Sequence, residues 1–590
     1  MPASIARVVQ SEAAPERSHR LLTIFPCVVS ALLYIATIRF EFVYDDVSQI
    51  VLNPLVHSWK ALPLLFGTDV WRFQNPLIVG SFWRPVFTVW LLLNHSVFGE
   101  NTIGWHTSAI VLYVLVTYLV SRLVLRLTAD RWMSIFAALV FAVHPTHLET
   151  AAWVSGTTDS LMSVFLLCSL LCVMRAEPRH GSRRWVVLSL VLFALALLTK
   201  ETAILEPVLI AAYVVLFSSS GERVRRTVWL TLPFVVVSAL YLVARHTVLH
   251  AVTQTYLPMT ATDVLITIPS VLYFYGEHLL WPVGLSPIYD VAPVVHIGWS
   301  NFWWPVLAIA TVATLGAAYV WRSRDRVVAF ACALLLLPIL PALYIPALEP
   351  GNFLHDRYLF LPSIGFAIVI ARAIRGIPRS GPRLFGLPAP QVALVALVVL
   401  AGSYTTASQQ IYWANDVLLF SRATAIAPAN EVAFNNVGAA LARRGRKNEA
   451  MFAFEQVIKK DPKSWRALYN LGLSYFMDGR NEEAEVYLRR SVTANPVQAD
   501  PSAVLAETLV RQGKYSEAEA AITRALELMP YKPGYRRVLA LSLEGQGKFT
   551  DAVQAASQEH QNHPEDEATS RLLERLKSEQ EQTDRISRTK

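Results

Sequence analysis

Eleven apolar runs, each close to the ~20 residues that a bilayer requires, follow one another over the first 408 residues. The first covers about 21–40. The others lie at roughly 104–127, 132–149, 158–175, 185–200, 203–218, 227–245, 301–321, 327–346, 357–374 and 387–408. Composition agrees with this pattern: 54% of residues are hydrophobic and 16% charged, against about 25% charged in soluble domains. Beyond about residue 410 the chain reads as an ordinary soluble helical protein. Two domains of different solvent class follow, so the expected fold class is all-α. A polytopic helical membrane domain over 21–408 precedes a soluble helical one. A segment at 1–20, carrying Arg7, Arg17 and Arg20, comes before the first run. No small-residue cleavage site closes that run, so it reads as a retained signal anchor.

Basic residues gather in the short loops. Arg122, Arg126 and Arg131 form one group, and Arg175, Arg179, Arg183 and Arg184 a second. Then come Arg223, Arg225 and Arg226, then Arg322, Arg324 and Arg326, then Arg372, Arg375, Arg379 and Arg383. The positive-inside rule puts all five groups in the cytoplasm. The net charge of +8 is thus a topology signal and not a nucleic-acid-binding face. One stretch, about 263–282, would invert later loops if it spanned. Pro269, Gly276 and Glu277 interrupt it, so it reads as re-entrant or surface-lying within an outer loop at 246–300. The soluble domain then stands on the outer face. Cys27, Cys168, Cys172 and Cys332 all lie in apolar runs and read as small buried hydrophobes.

On this topology the unusual polar residues share one side. Asp45 and Asp46 open the first outer loop, 41–103, which also holds Arg84. Later helix ends bring His144, His147, Glu149 and Asp159, then Lys200 and Glu201, then Arg245, then His355, Asp356 and Arg357. A charge at the bilayer centre costs about 2.5–3.5 kcal/mol, so such residues face water or a polar cavity. The gathering of five helix ends points to one shared cavity. An aspartate pair at its mouth suits general-base chemistry, although Asp is also a good N-cap for a helix beginning near Val47. His144, His147 and Glu149 are residue types that bind divalent metal, but Pro145 breaks the helical spacing of a zinc site. Lys200 at a cavity wall suits an anionic phosphate, with Glu201 orienting its neighbours.

The soluble part repeats every 34 residues. Gly445, Gly479, Gly513 and Gly547 mark one position, and Pro462, Pro496, Pro530 and Pro564 another. This is the tetratricopeptide pattern, with repeats at 431–464, 465–498, 499–532 and 533–566 inside a 431–576 domain. A connector or partial repeat at 409–430 precedes them, and a charged tail at 577–590 is expected to fray. Stacked helix pairs of this kind form a solenoid that binds peptides or partner proteins. Asn436 and Asn470 hold equivalent first-helix positions and suit a peptide backbone, although Asn is also common at this position in the repeat.

The ordered strings FVYDD, WRPV, HPTHLETAAWVSG, TKE and DRYLFLPSIGF, followed by the repeats, resemble the transmembrane and tetratricopeptide-repeat (TMTC) proteins. These are GT-C glycosyltransferases related to protein O-mannosyltransferases. The resemblance runs over about 30–565. It implies a polyprenyl- or dolichyl-phosphate sugar donor, with mannose one candidate sugar. It also implies inverting transfer to a hydroxyl of a protein acceptor on the non-cytoplasmic face. Asp45 would be the catalytic base, supported by Asp46. Lys200, Arg245, Arg357 or Arg84 would steady the phosphate leaving group. The repeats would dock the acceptor or a partner. No cofactor beyond the donor lipid is implied, and a divalent metal is optional. The membrane would be the bacterial plasma membrane or the eukaryotic endoplasmic reticulum. One departure stands out: this chain has Gly156-Thr157-Thr158-Asp159 where the family often has Gly-Arg-Ala-Asp/Glu, which bears on donor choice. The alternatives are a membrane-anchored repeat scaffold without activity, and a related enzyme acting on a lipid or cell-wall glycan.

Overall fold

The computed structural model describes residues 16–588 apart from 75–79, 177–182, 219, 252–254, 350 and 379–381. Most of segment 1–20, with Arg7, lies outside the described residues, as do Arg179 and Arg379. Among the described residues, helices account for nearly all regular structure, and the one strand pair is Arg383–Leu384 with Leu387–Pro388. The chain divides into two compact units, with the boundary between Ile426 and Ala427.

In the first unit six described helices are long and apolar enough to cross a membrane: Thr102–Thr128, Ser155–Ala176, Arg223–Leu249, Trp299–Ser323, Arg326–Leu343 and Ala389–Ala414. Three shorter apolar helices accompany them at Ile24–Arg39, Pro85–Phe98 and Arg131–Ala142. This differs from eleven spans of full length. The runs at 132–149, 203–218 and 357–374 fold instead as helices Arg131–Ala142, Glu206–Phe217 and Pro362–Arg375, of 12, 12 and 14 residues. At 1.5 Å per residue they are about 18–21 Å long, short of a ~30 Å hydrocarbon core. Proline is the physical reason. Pro145 follows the first of these helices, and Pro207 and Pro362 open the other two. Each break is a tight 3-10 turn: Pro145–His147, Glu201–Leu205 and Asp356–Leu359. The turn Pro145–His147 is wholly buried and the other two partly so, and apolar residues flank each, so a hydropathy window runs across the break.

The stretch at 263–282 also departs from expectation. It is one continuous helix, Ala261–Leu280, uninterrupted at Pro269 or Gly276. Thr260 and Asp263 form a reciprocal cap at its start. Its buried face, Val271, Tyr275 and Leu279, packs on Ile339, Ile345, Phe353 and Leu359.

The helices of this unit share an orientation of charge. Helix Arg131–Ala142 runs from a basic loop toward His144, and helix Thr158–Ala176 runs from Asp159 toward Arg175. Helix Arg183–Thr199 ends at Lys200, and helix Pro362–Arg375 leads from Arg357 back to Arg375. At the basic end two aspartates do double duty. Asp130 caps the helix at Arg131 and binds Arg375 at 2.7 Å, while Asp325 caps the helix at Arg326 and binds Arg372 at 2.7 Å. Hydroxyl pairs cross-link neighbouring helices, with Ser121 and Ser134 at 2.9 Å and Ser169 and Ser189 at 2.8 Å.

The second unit contains four helix pairs, Glu431–Arg443 with Lys447–Lys460, Trp465–Met477 with Asn481–Ala494, Ala499–Arg511 with Tyr515–Leu528, and Tyr535–Gly545 with Phe549–Asn562. The charged segment is helical from 577 to Arg588, where helix Glu567–Arg588 continues through it. Leu572, Leu573 and Leu576 of that helix cover Ala552, Ala555 and Ala556, so it closes the apolar face that a last repeat would leave open. The turns inside the repeats place Gly445, Gly479, Gly513 and Gly547 at φ of +72° to +75°, a left-handed conformation that a Cβ disfavours. Gly479→Ala should therefore destabilise the folded chain by about 1–2 kcal/mol. Thermal unfolding followed by far-UV circular dichroism measures this.

Candidate functional site

The adjacent aspartates have different surroundings. Asp46 is fully buried. It accepts hydrogen bonds from the Ser155 N–H at 2.7 Å, the Ser155 hydroxyl at 2.6 Å and the Val43 N–H at 3.2 Å. It stands before the turn Val47–Val51, but its side chain makes no capping bond there. Its carboxylate instead ties the 41–103 loop to the segment before helix Thr158–Ala176. Asp45 is half-buried and accepts no hydrogen bond among the described residues. Burial pushes its carboxyl up to about 7; the Glu349 and Asp416 carboxylates add to the rise and Arg357 opposes it. Burial also lifts Asp46 to about 7, against the Ser155 and Val43 donors that favour its charged form, and Asp45 adds to the rise.

Around the pair, the polar residues expected at the helix ends form one electrostatic cluster. The turn Asp356–Leu359 places the Arg357 guanidinium over the Trp153 and Tyr358 rings, at 5.2 and 5.6 Å from their centres. Glu149 is buried. It accepts the Arg357 backbone N–H at 3.2 Å and lies 3.8 Å from the guanidinium and 3.9 Å from the His355 ring. Gly156 lets the turn Ser155–Thr157 pack against the Glu149 backbone, since a Cβ there would lie 1.8 Å from the Glu149 carbonyl oxygen. Beside it stands Thr157, one of the residues that depart from the resembled pattern. It is fully buried and gives its hydroxyl to the Val154 carbonyl.

The four candidate cations are not equivalent. Lys200 places its ammonium 2.6 and 2.7 Å from the two oxygens of Asp159. Both side chains are almost wholly buried, at 4% and 7% exposure, so this lysine is not the open phosphate-facing charge expected of it. Asp159 likewise serves as its counter-ion. Arg245 is buried too, and donates to the Ser81 carbonyl and, at 3.2 Å, to the Tyr241 hydroxyl. Arg84 forms a fork with Glu201 at 2.6 and 3.1 Å, which fixes what Glu201 orients. Arg84 and Arg357 keep 17% and 20% of their side chains exposed and are the more exposed of the four.

Three more expected site residues are structural. His144 uses its ring nitrogens on the Thr146 hydroxyl and the Leu279 carbonyl, at 2.8 and 3.1 Å. His147 uses its own on the Tyr113 and Ser363 hydroxyls, at 2.8 Å each. Neither is available as a metal ligand, and no group of three or more His, Cys, Asp or Glu among the described residues could hold a metal ion. Asp356 accepts from His278 at 2.7 Å and from the Tyr289 hydroxyl, which anchors the 261–298 region to the site. In the repeat unit Asn470 donates to Asn435 at 2.9 Å, and Asn436 is half-buried. The structure thus pairs Asn470 within the unit.

Glu349, Asp416, Tyr44 and Trp153 complete the site and were missed in the sequence. Tyr44 and Trp153 lie inside the strings FVYDD and HPTHLETAAWVSG that carry the resemblance, with no role of their own there. Asp416 lies in the segment read as a connector, which up to Ile426 belongs to the first unit. Asp46→Ala should lower stability by about 1–3 kcal/mol, because it strands the buried Ser155 and Val43 donors. Asp45→Asn should not lower the melting temperature at neutral pH and should raise it if anything, because burial disfavours the charge that the substitution removes. Thermal melts of the two variants, side by side, check this difference.

Residues 84–249 match the family described as dolichyl-phosphate-mannose-protein mannosyltransferase, and residues 434–499 and 504–567 match the tetratricopeptide repeat. Among curated proteins, the chain is 26% identical over 486 residues to the mouse protein O-mannosyl-transferase TMTC3, covering 75% of this chain and 51% of that one. It is 25% identical over 448 residues to the Caenorhabditis elegans protein O-mannosyl-transferase F38B6.6, covering 74% and 62%. With human TMTC1 the figures are 25% over 503 residues, covering 74% and 55%. The chain thus spans half to three-fifths of the length of these relatives. Among solved structures, a MamA protein matches at 22% identity and a TM-score of 0.23, covering 25% of this chain and 81% of that one. The tetratricopeptide protein TTC0263 of Thermus thermophilus matches at 21% and 0.23, covering 32% and 93%. The resemblance to TMTC-type proteins therefore extends over about three-quarters of the chain, and the apolar helices and the mannosyltransferase match together indicate a multi-pass membrane protein.

Proposed function

We propose that this chain is a membrane glycosyltransferase that moves a sugar, mannose by the names of its relatives, from a polyprenyl- or dolichyl-phosphate donor to a protein hydroxyl. The observation that carries the reading is the division of labour within the aspartate pair. Asp46 holds the loop, while Asp45, half-buried and facing the Arg357 charge, accepts no hydrogen bond among the described residues. A carboxylate in that state can take the proton from an acceptor hydroxyl as its oxygen attacks the anomeric carbon. The bond from that carbon to the donor phosphate breaks on the opposite side, which inverts the configuration. The leaving group departs as a phosphate, so it needs positive charge and no proton. Arg357 and Arg84, the two partly exposed cations, are placed to supply that charge.

The site residues and the basic loops occupy opposite ends of the helices. With the basic loops in the cytoplasm, transfer takes place on the outer face, and the repeats present the acceptor or a partner that carries it. General-base catalysis contributes about 10²–10⁴-fold, so Asp45→Asn should reduce transfer by that factor while the chain stays folded. Because the base must be ionised and its carboxyl sits at about 7, wild-type transfer should rise with pH through that value. Transfer from a synthetic polyprenyl-phosphate mannose to a Ser/Thr peptide, assayed over a pH series, tests both. Undiminished turnover by Asp45→Asn rejects Asp45 as the base.

A further inference from the structure

Tyr44, directly before the aspartate pair, has φ of +57°, a backbone region that a bulky L residue enters only when its surroundings hold it there. Four contacts do so. Its N–H donates to Asp416 at 2.7 Å and its hydroxyl accepts from Asn352 at 3.0 Å. Its ring stacks on Trp153 at 5.3 Å and meets the Phe420 ring at 5.5 Å. Asp416 and Phe420 both belong to the stretch 411–426, which leads along the chain into the first repeat helix. The same stretch stacks Trp413 on Trp153 at 6.1 Å, and its Ala414 carbonyl accepts the Glu41 N–H at 3.1 Å. Residues 41–45 are thus gripped at several points by a segment more than 360 residues further along the chain.

We propose that the stretch 411–426 clamps the loop that carries Asp45, and that Asp416 is the positioning residue of the clamp. This rests on the reading of Asp45 as the base. Asp416 acts in two ways. Its oxygen fixes the Tyr44 backbone, and therefore the direction in which the next residue leaves the turn. Its negative charge also stands among the groups that face Asp45. Those groups are Arg357, Glu349 and Asp416 from other elements, and Tyr44 and Asp46 from its own. A neighbouring negative charge disfavours a second one, so removing it lets the Asp45 carboxylate form at lower pH. The clamp also gives a physical reason for a helix to stand between the last long apolar helix and the repeats: part of the segment that leads to the repeats is built into the site.

Asp416→Asn removes the charge and retains an oxygen that can accept the Tyr44 N–H. The test uses the full chain in detergent, treated with a water-soluble carbodiimide and an amine over a pH series. The extent of Asp45 modification is read by peptide mass spectrometry. Carbodiimide activates the protonated carboxyl, so the labelling midpoint reports the Asp45 titration whether or not the chain turns over. The proposal expects a lower midpoint for Asp416→Asn than for wild type, and a wild-type midpoint for Asp416→Glu. If Asp416→Asn does not fold, Asp416→Ser removes the same charge and takes its place. An Asp45 midpoint unmoved in the folded charge-removing variant overturns the proposal. Mannose transfer measured on the same samples separates the two readings. A shifted midpoint without wild-type transfer counts against the transferase and upholds the clamp; wild-type transfer with an unshifted midpoint does the reverse.

Discussion

The site depends on how buried charge is compensated. Bringing an ion out of water costs several kcal/mol even after the protein relaxes, and the cost is recovered only through close pairing and hydrogen bonding. Lys200 with Asp159 and Arg84 with Glu201 recover it through paired contacts near 2.6–3.1 Å. Arg357 is different. It lies 3.8 Å from Glu149, acts on Asp45 as well, and rests against two aromatic faces. Its charge is shared between groups and not spent on one. Under the proposed function a cation held this loosely answers charge that arrives with a ligand, and Arg84, paired but still partly exposed, adds to it, while the buried Lys200–Asp159 pair makes the frame rigid.

The frame itself follows from proline. Three apolar runs break at or beside Pro145, Pro207 and Pro362, and the tight turns at these breaks carry His147, Glu201 and Arg357. Chain direction changes there without opening the interior to water, because the polar groups of the turns bond to neighbouring elements. His147 joins Tyr113 and Ser363, and Asp356 joins His278 and Tyr289. The left-handed turn at Tyr44 is the counterpart in the 41–103 loop, and there strain is balanced by stacking and by Asp416.

Much of this was legible in the sequence, and the parts that were not have a common cause. Periodicity revealed the repeats, because each glycine with positive φ recurs every 34 residues for a backbone reason. The pairing of basic loops with acidic ends was likewise visible as charge order along the chain. Hydropathy could not distinguish a full span from a short helix followed by a buried turn, since both are apolar; hence eleven expected spans against six long helices. It also could not tell which charges were already partnered. Lys200 looked free because Asp159 is 41 residues away in the sequence, and Asp416 looked like part of a repeat because Tyr44 is 372 residues away. The pair Asp45-Asp46 was recognisable as a pair; which member held the loop required coordinates.

The central claim is that Asp45 is a base tuned by charge, with Arg357 as the group that opposes its rise. The most direct measurement is the pH midpoint of Asp45 carbodiimide labelling in Arg357→Gln, compared with wild type. Without the guanidinium, burial and the Glu349 and Asp416 carboxylates act unopposed, so the midpoint should move above that of wild type. A folded Arg357→Gln chain whose midpoint stays at the wild-type value, or falls below it, would contradict the account.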